Sequence, residues 1–338
     1  MLKELIMQVL PTQFCHASTV LPLDNGDVLC AWFGGTHEGK ADVGIYFSKR
    51  MQGVWREPML LVAGSEANWN PVLYQKENGK LLLFYKEGER IAAWKTYVKE
   101  SSDLGETWSE ARELVLGDES GGRGPVRNKL CKLKTGRLLA GASTEHGIWQ
   151  AFADISDDDG ATWHKSSDIC IQGLTYAAGE KTAESNIAVS LQSFYGRGVI
   201  QPSLWEDDGG VHMLLRSSEG FVYRADSTDA GETWTDAYPL CLPNNNSGLD
   251  LAQSSDGTLF LVCNPVAANW GVRSPISLFK STDGLAWTKL LDFETEPSEF
   301  SYPAIVCRGS KLYITYTYRR ENIAYVEVEL DEGGKISS

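Results

Sequence analysis

The stretch Ser227 to Trp234, STDAGETW, governs how this chain is read, because it is one of five versions of a single phrase. SSDLGETW runs from Ser101 to Trp108 and SDDDGATW from Ser156 to Trp163; STDGLAW, Ser281 to Trp287, is one residue shorter. SKRMQGVW, Ser48 to Trp55, keeps the two ends and a displaced glycine. Serine and aspartate hydrogen-bond backbone amides within their own turn, glycine supplies a positive φ, and tryptophan packs between strands. Aspartates that repeat in this way read as turn residues rather than as acids or bases.

The five phrases begin at spacings of 53, 55, 71 and 54 residues. Out of phase with them lies a second repeat, a polar turn with glycine followed by an apolar run. Its six copies are NGDVLCAWF, NGKLLLFYK, TGRLLAGAS, GGVHMLLRS, DGTLFLVCN and GSKLYITYT. Short runs rich in Val, Leu, Tyr and Phe between Gly, Asn and Asp read as strands. Four strands per repeat of about 50 residues is the pattern of a propeller blade. The reading is therefore an all-β, six-bladed β-propeller forming one domain over 1–338, with an insertion near 165–198. Residues 177–194 hold its best candidate for a helix. The sixth unit lacks a fourth strand, and ELIMQVL at the N-terminus is expected to supply it, closing the ring and removing sheet edges.

Composition narrows the partners. The 338 residues are 42% hydrophobic and 22% charged, as in a globular protein with a large core, and carry a net charge of −14. That charge argues against nucleic acid. Eleven Trp and 13 Tyr suit β-strand packing and a sugar-binding surface alike. Seven cysteines without a C-x-x-C read as buried free thiols. The N-terminus is too short and charged for a signal peptide, and no apolar run approaches a membrane span, so the expectation is a cytoplasmic chain without a membrane partner. Neither metal-ligand spacing, Walker loop nor dinucleotide fingerprint appears, and no cofactor is expected.

Innermost propeller strands line a central channel, so residues opening them point at one mouth. Each first strand here opens on a polar residue seven to eleven positions before its glycine: His16, Asn70, Arg127 with Asn128, Gln201, Asn246 and Tyr302. A second ring follows the glycine-headed strands: Thr36-His37-Glu38, Lys86-Glu87, Thr144-Glu145-His146, Arg216, Asn264 and Tyr318-Arg319-Arg320, with Arg273 near the same mouth. Polar groups converging on one axis suit a small-ligand site. Arg216 and Arg273, with Arg127, would make a basic pocket in an acidic protein, and guanidinium forks suit a carboxylate.

From about Phe14 to Tyr318 these residues and turn phrases resemble the sialidase superfamily, the phrases looking like its Asp boxes or BNR repeats; the likeness is greater to less characterised bacterial BNR proteins than to typical sialidases. In that family an arginine triad holds the substrate carboxylate, a tyrosine nucleophile works with a glutamate, and an acid/base aspartate sits in a first-blade loop. The resemblance implies that Arg216 and Arg273 are the second and third arginines, that Tyr302 is the nucleophile, and that Glu38 is the carboxylate nearest the acid/base position. Cys15-His16-Ala17 stands where the first arginine would be, and Gln201 replaces the glutamate.

Three functions follow. One is an exo-acting glycoside hydrolase on a terminal carboxylated sugar, sialic acid or uronate-like, with Tyr302 and Glu38 in catalysis and Glu145 as a replacement for the missing base. Arg216, Arg273, Arg127, Arg319, Gln201, Asn70 and Asn128 would contact its substrate. Another is a polysaccharide lyase eliminating across a uronate, such as a rhamnose-glucuronate end, with His16 and Tyr302 as base and acid. The third is a noncatalytic glycan-binding propeller.

Overall fold

A computed structural model describes residues 1–182, 194–331 and 334–336. Strand β1 (Leu2–Leu5) is followed by six consecutive antiparallel meanders, units 1 to 6. Unit 1 holds β2 (Phe14–Pro22), β3 (Val28–Gly35), β4 (Gly44–Met51), β5 (Val54–Trp55) and β6 (Met59–Val62). Unit 2 holds β7 (Asn68–Gln75), β8 (Leu81–Glu87), β9 (Lys95–Ser101) and β10 (Arg112–Glu113), with a 3₁₀ turn at Ile91–Ala93. β11 (Cys131–Lys132), β12 (Leu138–His146), β13 (Ile148–Ser156) and β14 (His164–Lys165) make unit 3. β15 (Arg197–Asp207), β16 (Gly210–Ser217), β17 (Phe221–Ser227) and β18 (Tyr238–Pro243) make unit 4. Unit 5 is β19 (Asp250–Gln253), β20 (Leu259–Cys263), β21 (Ile276–Ser281) and β22 (Thr288–Glu294). In unit 6, β23 (Phe300–Arg308), β24 (Lys311–Tyr318) and β25 (Asn322–Glu329) are completed by β1, which pairs antiparallel with β25 from Leu2↔Glu327 to Leu5↔Ala324. Units 3 and 4 share one sheet through a short parallel pairing of Ile148 and Trp149 with Arg197 and Gly198.

Burial falls from the inner to the outer strands. All eight residues of β3 are buried, whereas β14 is exposed and β22 has one buried residue, Phe293. Six apolar clusters each join consecutive units. Phe33 and Phe47 meet Leu73 and Leu83, Val72 and Phe84 meet Leu138 and Ala140, and Leu139 and Ile155 meet Leu204 and Met213. Further along, Trp205 and Leu214 meet Leu261, and Val262 and Leu278 meet Ile314 and Val326. A sixth cluster joins the last unit to the first, Ile323 and Tyr325 against Cys30 and Trp32.

The repeated phrase sits where the third strand gives way to the fourth. In the copy at 101–108 the Ser101 hydroxyl accepts the Gly105 N–H (2.9 Å), Asp103 accepts the N–H and hydroxyl of Thr107 (2.9 and 2.6 Å), and the Trp108 indole donates to the Gly105 carbonyl (3.2 Å). Identical bonds recur at 156–163 and 227–234. A Cβ on Gly105 would come within 2.8 Å of Phe47 in the preceding unit, and one on Gly284 within 2.6 Å of Trp205. These turns therefore bolt each unit to its predecessor.

Most of the expected helix over 177–194 lies outside the described residues. Within the expected insertion, Ile169 bridges Ala151, and Phe194 packs against Trp270 at 5.1 Å. All seven cysteines are free; Cys15, Cys30 and Cys263 are buried as expected, Cys131, Cys170 and Cys307 are partly buried, and Cys241 is exposed because it sits on the outer strand β18. Among the described residues no helix is long and apolar enough to cross a membrane.

Candidate active site

Each of four first strands breaks register at the same place. The breaks fall between His16 and Thr19, Trp69 and Val72, Ile200 and Ser203, and Ser301 and Ala304. At each break the first extra residue is left-handed: Ala17, Asn70, Gln201 and Tyr302 have φ of 53°, 44°, 55° and 53°, and Asn246 ahead of β19 has 56°. Such a conformation costs a non-glycine residue about 1–2 kcal/mol, and a bulge re-aims the side chain it carries. Asn70, Gln201 and Tyr302 all line one cleft, with Glu38, Trp69, Ile91, Trp94, Glu145, Arg216 and Trp270. A roomier surface depression lies elsewhere, among Arg137, Asp157 and Asp229 at the turn phrases. It gathers exposed turn carboxylates and no converging buried groups, so the chemistry is sought in the narrower cleft.

Tyr302 is the hub of this cleft. Its hydroxyl accepts from Arg216 Nη1 at 2.6 Å, and the guanidinium carbons of Arg127, Arg216 and Arg273 lie 5.4, 5.7 and 5.4 Å from its ring centre. Arg216 also donates to Asn246 Oδ1 (2.7 Å) and Gln201 Oε1 (3.3 Å), and stands 5.1 Å over Trp270. Arg273 donates to Glu299 Oε1 (2.7 Å), which also accepts from Arg320 Nε (2.7 Å). The second arm of Arg320 reaches Glu38 Oε2 at 2.5 Å. Glu38 is thus fastened by an ion pair to the turn between β24 and β25.

Burial and charge pull the titratable groups apart. Burial pushes the Glu145 carboxyl above the usual range; Arg216 and His146 oppose this and Glu38 reinforces it. Among the described residues no group hydrogen-bonds this carboxyl. Partial burial raises Glu299 as well, but Arg273 and Arg320 outweigh it and hold the carboxyl below the ordinary value. His16 is 1% exposed; burial first, then Arg320, Arg273, Arg127 and Arg216, keep its imidazole neutral. Its Nδ1 bonds Thr317 Oγ1 at 2.8 Å, and its ring lies 4.2 Å from that of Tyr302. Among the described residues no three His, Cys, Asp or Glu side chains are arranged to hold a metal.

The BNR repeat-like domain profile matches residues 26–314. The chain belongs to the BNR repeat-like family. No curated protein sequence matches it. Among solved structures it is similar to a protein of unknown function from Dyadobacter fermentans, with TM-score 0.73 and 17% identity over 97% of this chain and 99% of that one. The intramolecular trans-sialidase from Ruminococcus gnavus aligns with TM-score 0.70 and 15% identity over 99% of each chain. Trypanosoma rangeli sialidase aligns with TM-score 0.70 and 12% identity over 94% of this chain, which spans 55% of that enzyme. Identities this low establish a sialidase-like all-β fold.

In this BNR repeat-like protein, Tyr302, Arg216, Gln201, Asn70, Glu38 and Glu145 line the cleft, and Arg273 and Arg127 stand behind Tyr302. The remaining expected residues lie elsewhere. His16 aligns with Trp69, Ile200 and Ser301, so Ala17 takes the ring position and His16 packs beneath Tyr302 instead of lining the cleft. Asn128 donates to the carbonyls of Gln201 (3.1 Å) and Pro202 (3.0 Å), tying unit 3 to unit 4. Arg319 was expected to touch substrate. It is exposed, paired with Glu296 at 2.5 Å and stacked on Tyr318, because the chain turns there and sends Arg320 inward. Lys86 is buried between units on Thr96 Oγ1 and the Arg123 carbonyl, and burial lowers its ammonium to about 7. Trp69, Ile91, Trp94, Trp270 and Glu299 were not foreseen as site residues. Of these, Trp69 carried a usable signal, being next to Asn70.

Proposed function

We propose that the six meanders form a closed six-bladed ring, a single domain over 1–338, whose cleft cleaves a terminal carboxylated sugar, sialic acid or uronate-like, from a glycan. The ring reading is supported by hydrogen bonds between successive units. Leu73 N–H donates to Thr19 Oγ1, Asn70 Nδ2 to the Val126 carbonyl, and Asn128 to Gln201. The series continues from Leu251 N–H to Ser203 Oγ and from Ile305 N–H to Asp250, and returns to unit 1 through Ala17 N–H on Thr317 Oγ1. Paired β1 and β25 then serve as the clasp.

One observation carries the reaction: Tyr302 Oη is held by Arg216, beside Arg273, in the cleft that Glu145 also lines with a carboxyl pushed up by burial and without a hydrogen-bond partner among the described residues. Arg216 and Arg273 hold the sugar carboxylate. Glu145 gives its proton to the glycosidic oxygen as the bond from that oxygen to the anomeric carbon breaks, and Tyr302 Oη meets the positive charge left on that carbon. Water then adds its hydroxyl to that carbon and gives its other proton to the Glu145 carboxylate, which restores the acid. This shifts the proton donor from Glu38 to Glu145, because Glu38 is committed to Arg320. Elimination finds less support, since His16 lies off the cleft surface and packs on Tyr302.

The test is incubation with sialylated and uronate-capped oligosaccharides in heavy-oxygen water, followed by mass spectrometry and absorbance. A product gaining one labelled water supports hydrolysis. An unsaturated, ultraviolet-absorbing product without added water refutes it in favour of elimination, and saturable binding without turnover refutes both in favour of a binding module.

A further inference from the structure

Cations outnumber anions at the floor of this cleft. Arg127, Arg216, Arg273 and Arg320 are 2, 2, 2 and 7% exposed. Glu299 and Glu38 pair with Arg273 and Arg320 and match two of those charges. Among the described residues, every hydrogen bond of Arg216 goes to a neutral group, Asn246, Gln201 or Tyr302. Arg127 donates only to Asn128 Oδ1 (2.9 Å) among them, and its Nε and Nη2 are buried without a partner. Asp250, the acid that most favours its charge, is already taken by Lys129 Nζ at 2.9 and 3.0 Å. Burial, with Arg216 nearby, lowers the Arg127 guanidinium to about 10, where it still carries its charge at neutral pH. A buried charge without a counter-ion is costly to keep, and one with two open donors on one fork fits a bidentate oxyanion.

The two unmatched guanidiniums stand within 6 Å of the same ring centre, that of Tyr302. We infer that the substrate carries two acidic groups, a carboxylate held by Arg216 and Arg273 and a second oxyanion, a sulfate ester or a further carboxylate, held by Arg127. This rests on the carboxylated-sugar reading above and narrows it to dianionic glycans. The lone buried fork of Arg127 is then a specificity device. Sugars with a single carboxylate leave it unpaired, and dianionic sugars relieve it.

The experiment is calorimetric binding of three probes to the whole protein: a uronate disaccharide with one carboxylate, the same disaccharide with one sulfate, and a disaccharide of two uronates. The expected result is that a dianionic probe binds at least about tenfold tighter than the monoanion, 1.4 kcal/mol. In Arg127→Gln the ratio of dianion to monoanion affinity falls to about one, whatever happens to the absolute affinities; Arg127→Lys, which keeps the charge and loses the fork, retains part of the ratio. Equal affinities for all three in the wild type, or an advantage that survives Arg127→Gln, overturns the inference. Should Arg127→Gln fail to fold, the wild-type ratio and Arg127→Lys decide. Arg216→Gln tests the parent reading separately: loss of all probes supports it. Unchanged monoanion binding overturns it and leaves Arg127 to be judged by its own ratio. No binding of any probe to the wild type overturns both.

Discussion

Replacing Asp250 by asparagine tests whether the units are pinned to one another. Asp250 is 1% exposed, and its carboxylate accepts from Lys129 Nζ of unit 3 (2.9 and 3.0 Å), Ser203 Oγ of unit 4 (2.6 Å) and Ile305 N–H of unit 6 (2.9 Å). One aspartate of unit 5 thereby holds three other units. The asparagine keeps one acceptor oxygen, but its amide N–H₂ faces a donor wherever it turns, and the Lys129 ammonium loses its counter-charge. Breaking a buried pair by removing one partner costs about 3–5 kcal/mol. Since the Lys129 side chain is 27% exposed, the lower end applies. At about 2.1 cal/mol/K of unfolding entropy per residue, 338 residues give ~0.7 kcal/mol/K, so ~3 kcal/mol lowers Tm by ~4 °C. The assay is scanning calorimetry of wild type, Asp250→Asn, Lys129→Met and the double variant. A drop below about 1 °C for Asp250→Asn, or strictly additive effects in the double variant, refutes the pin, since contacting residues must couple.

Tyr302→Phe removes the acceptor from Arg216 Nη1 and leaves that buried donor short; a charged hydrogen bond of about 1.5–3 kcal/mol predicts a fall in kcat of about 10–100-fold, and an unchanged kcat would exclude Tyr302 from the chemistry. Glu145→Gln should abolish turnover while preserving the fold. Because the folded-state carboxyl is raised and must be protonated to act, wild-type activity is lost as pH rises through that raised value; a rate that is flat in this range contradicts the assignment. Asp103, Asp158 and Asp229 are held down to about 2 by Thr107, Thr162 and Thr233, with unfolded values near ~3.9. Being depressed, they contribute stability above about pH 4 and lose it as pH falls through about 2. The triple Asn variant should flatten the denaturation profile in that window, and an unaltered acid limb in urea titrations would count against it.

The turns were legible in the sequence because their bonds are local: Ser101 to Gly105 and Asp103 to Thr107 span four residues, so the phrase carries its own geometry. Strand order followed from the glycine-headed repeat, and the pairing of β1 with β25 from the unit left one strand short. The residues opening the inner strands announced Asn70, Gln201 and Tyr302 by their place in the repeat. What lay beyond reach was set by backbone detail and distance. His16 stands one residue ahead of the bulged position that Asn70, Gln201 and Tyr302 occupy in their strands, so it packs on Tyr302 and Ala17 takes its place, and a left-handed pair at Arg319 and Arg320 decides which guanidinium enters the site. Arg320 meets Glu38 across 282 residues of chain, and Trp270 reaches Arg216 from a segment outside the repeat. Periodicity determines which way a strand runs and which face it buries. Which charges finally meet, and which remain unmatched, depends on the relative placement of six units, and that placement exists only in the folded chain.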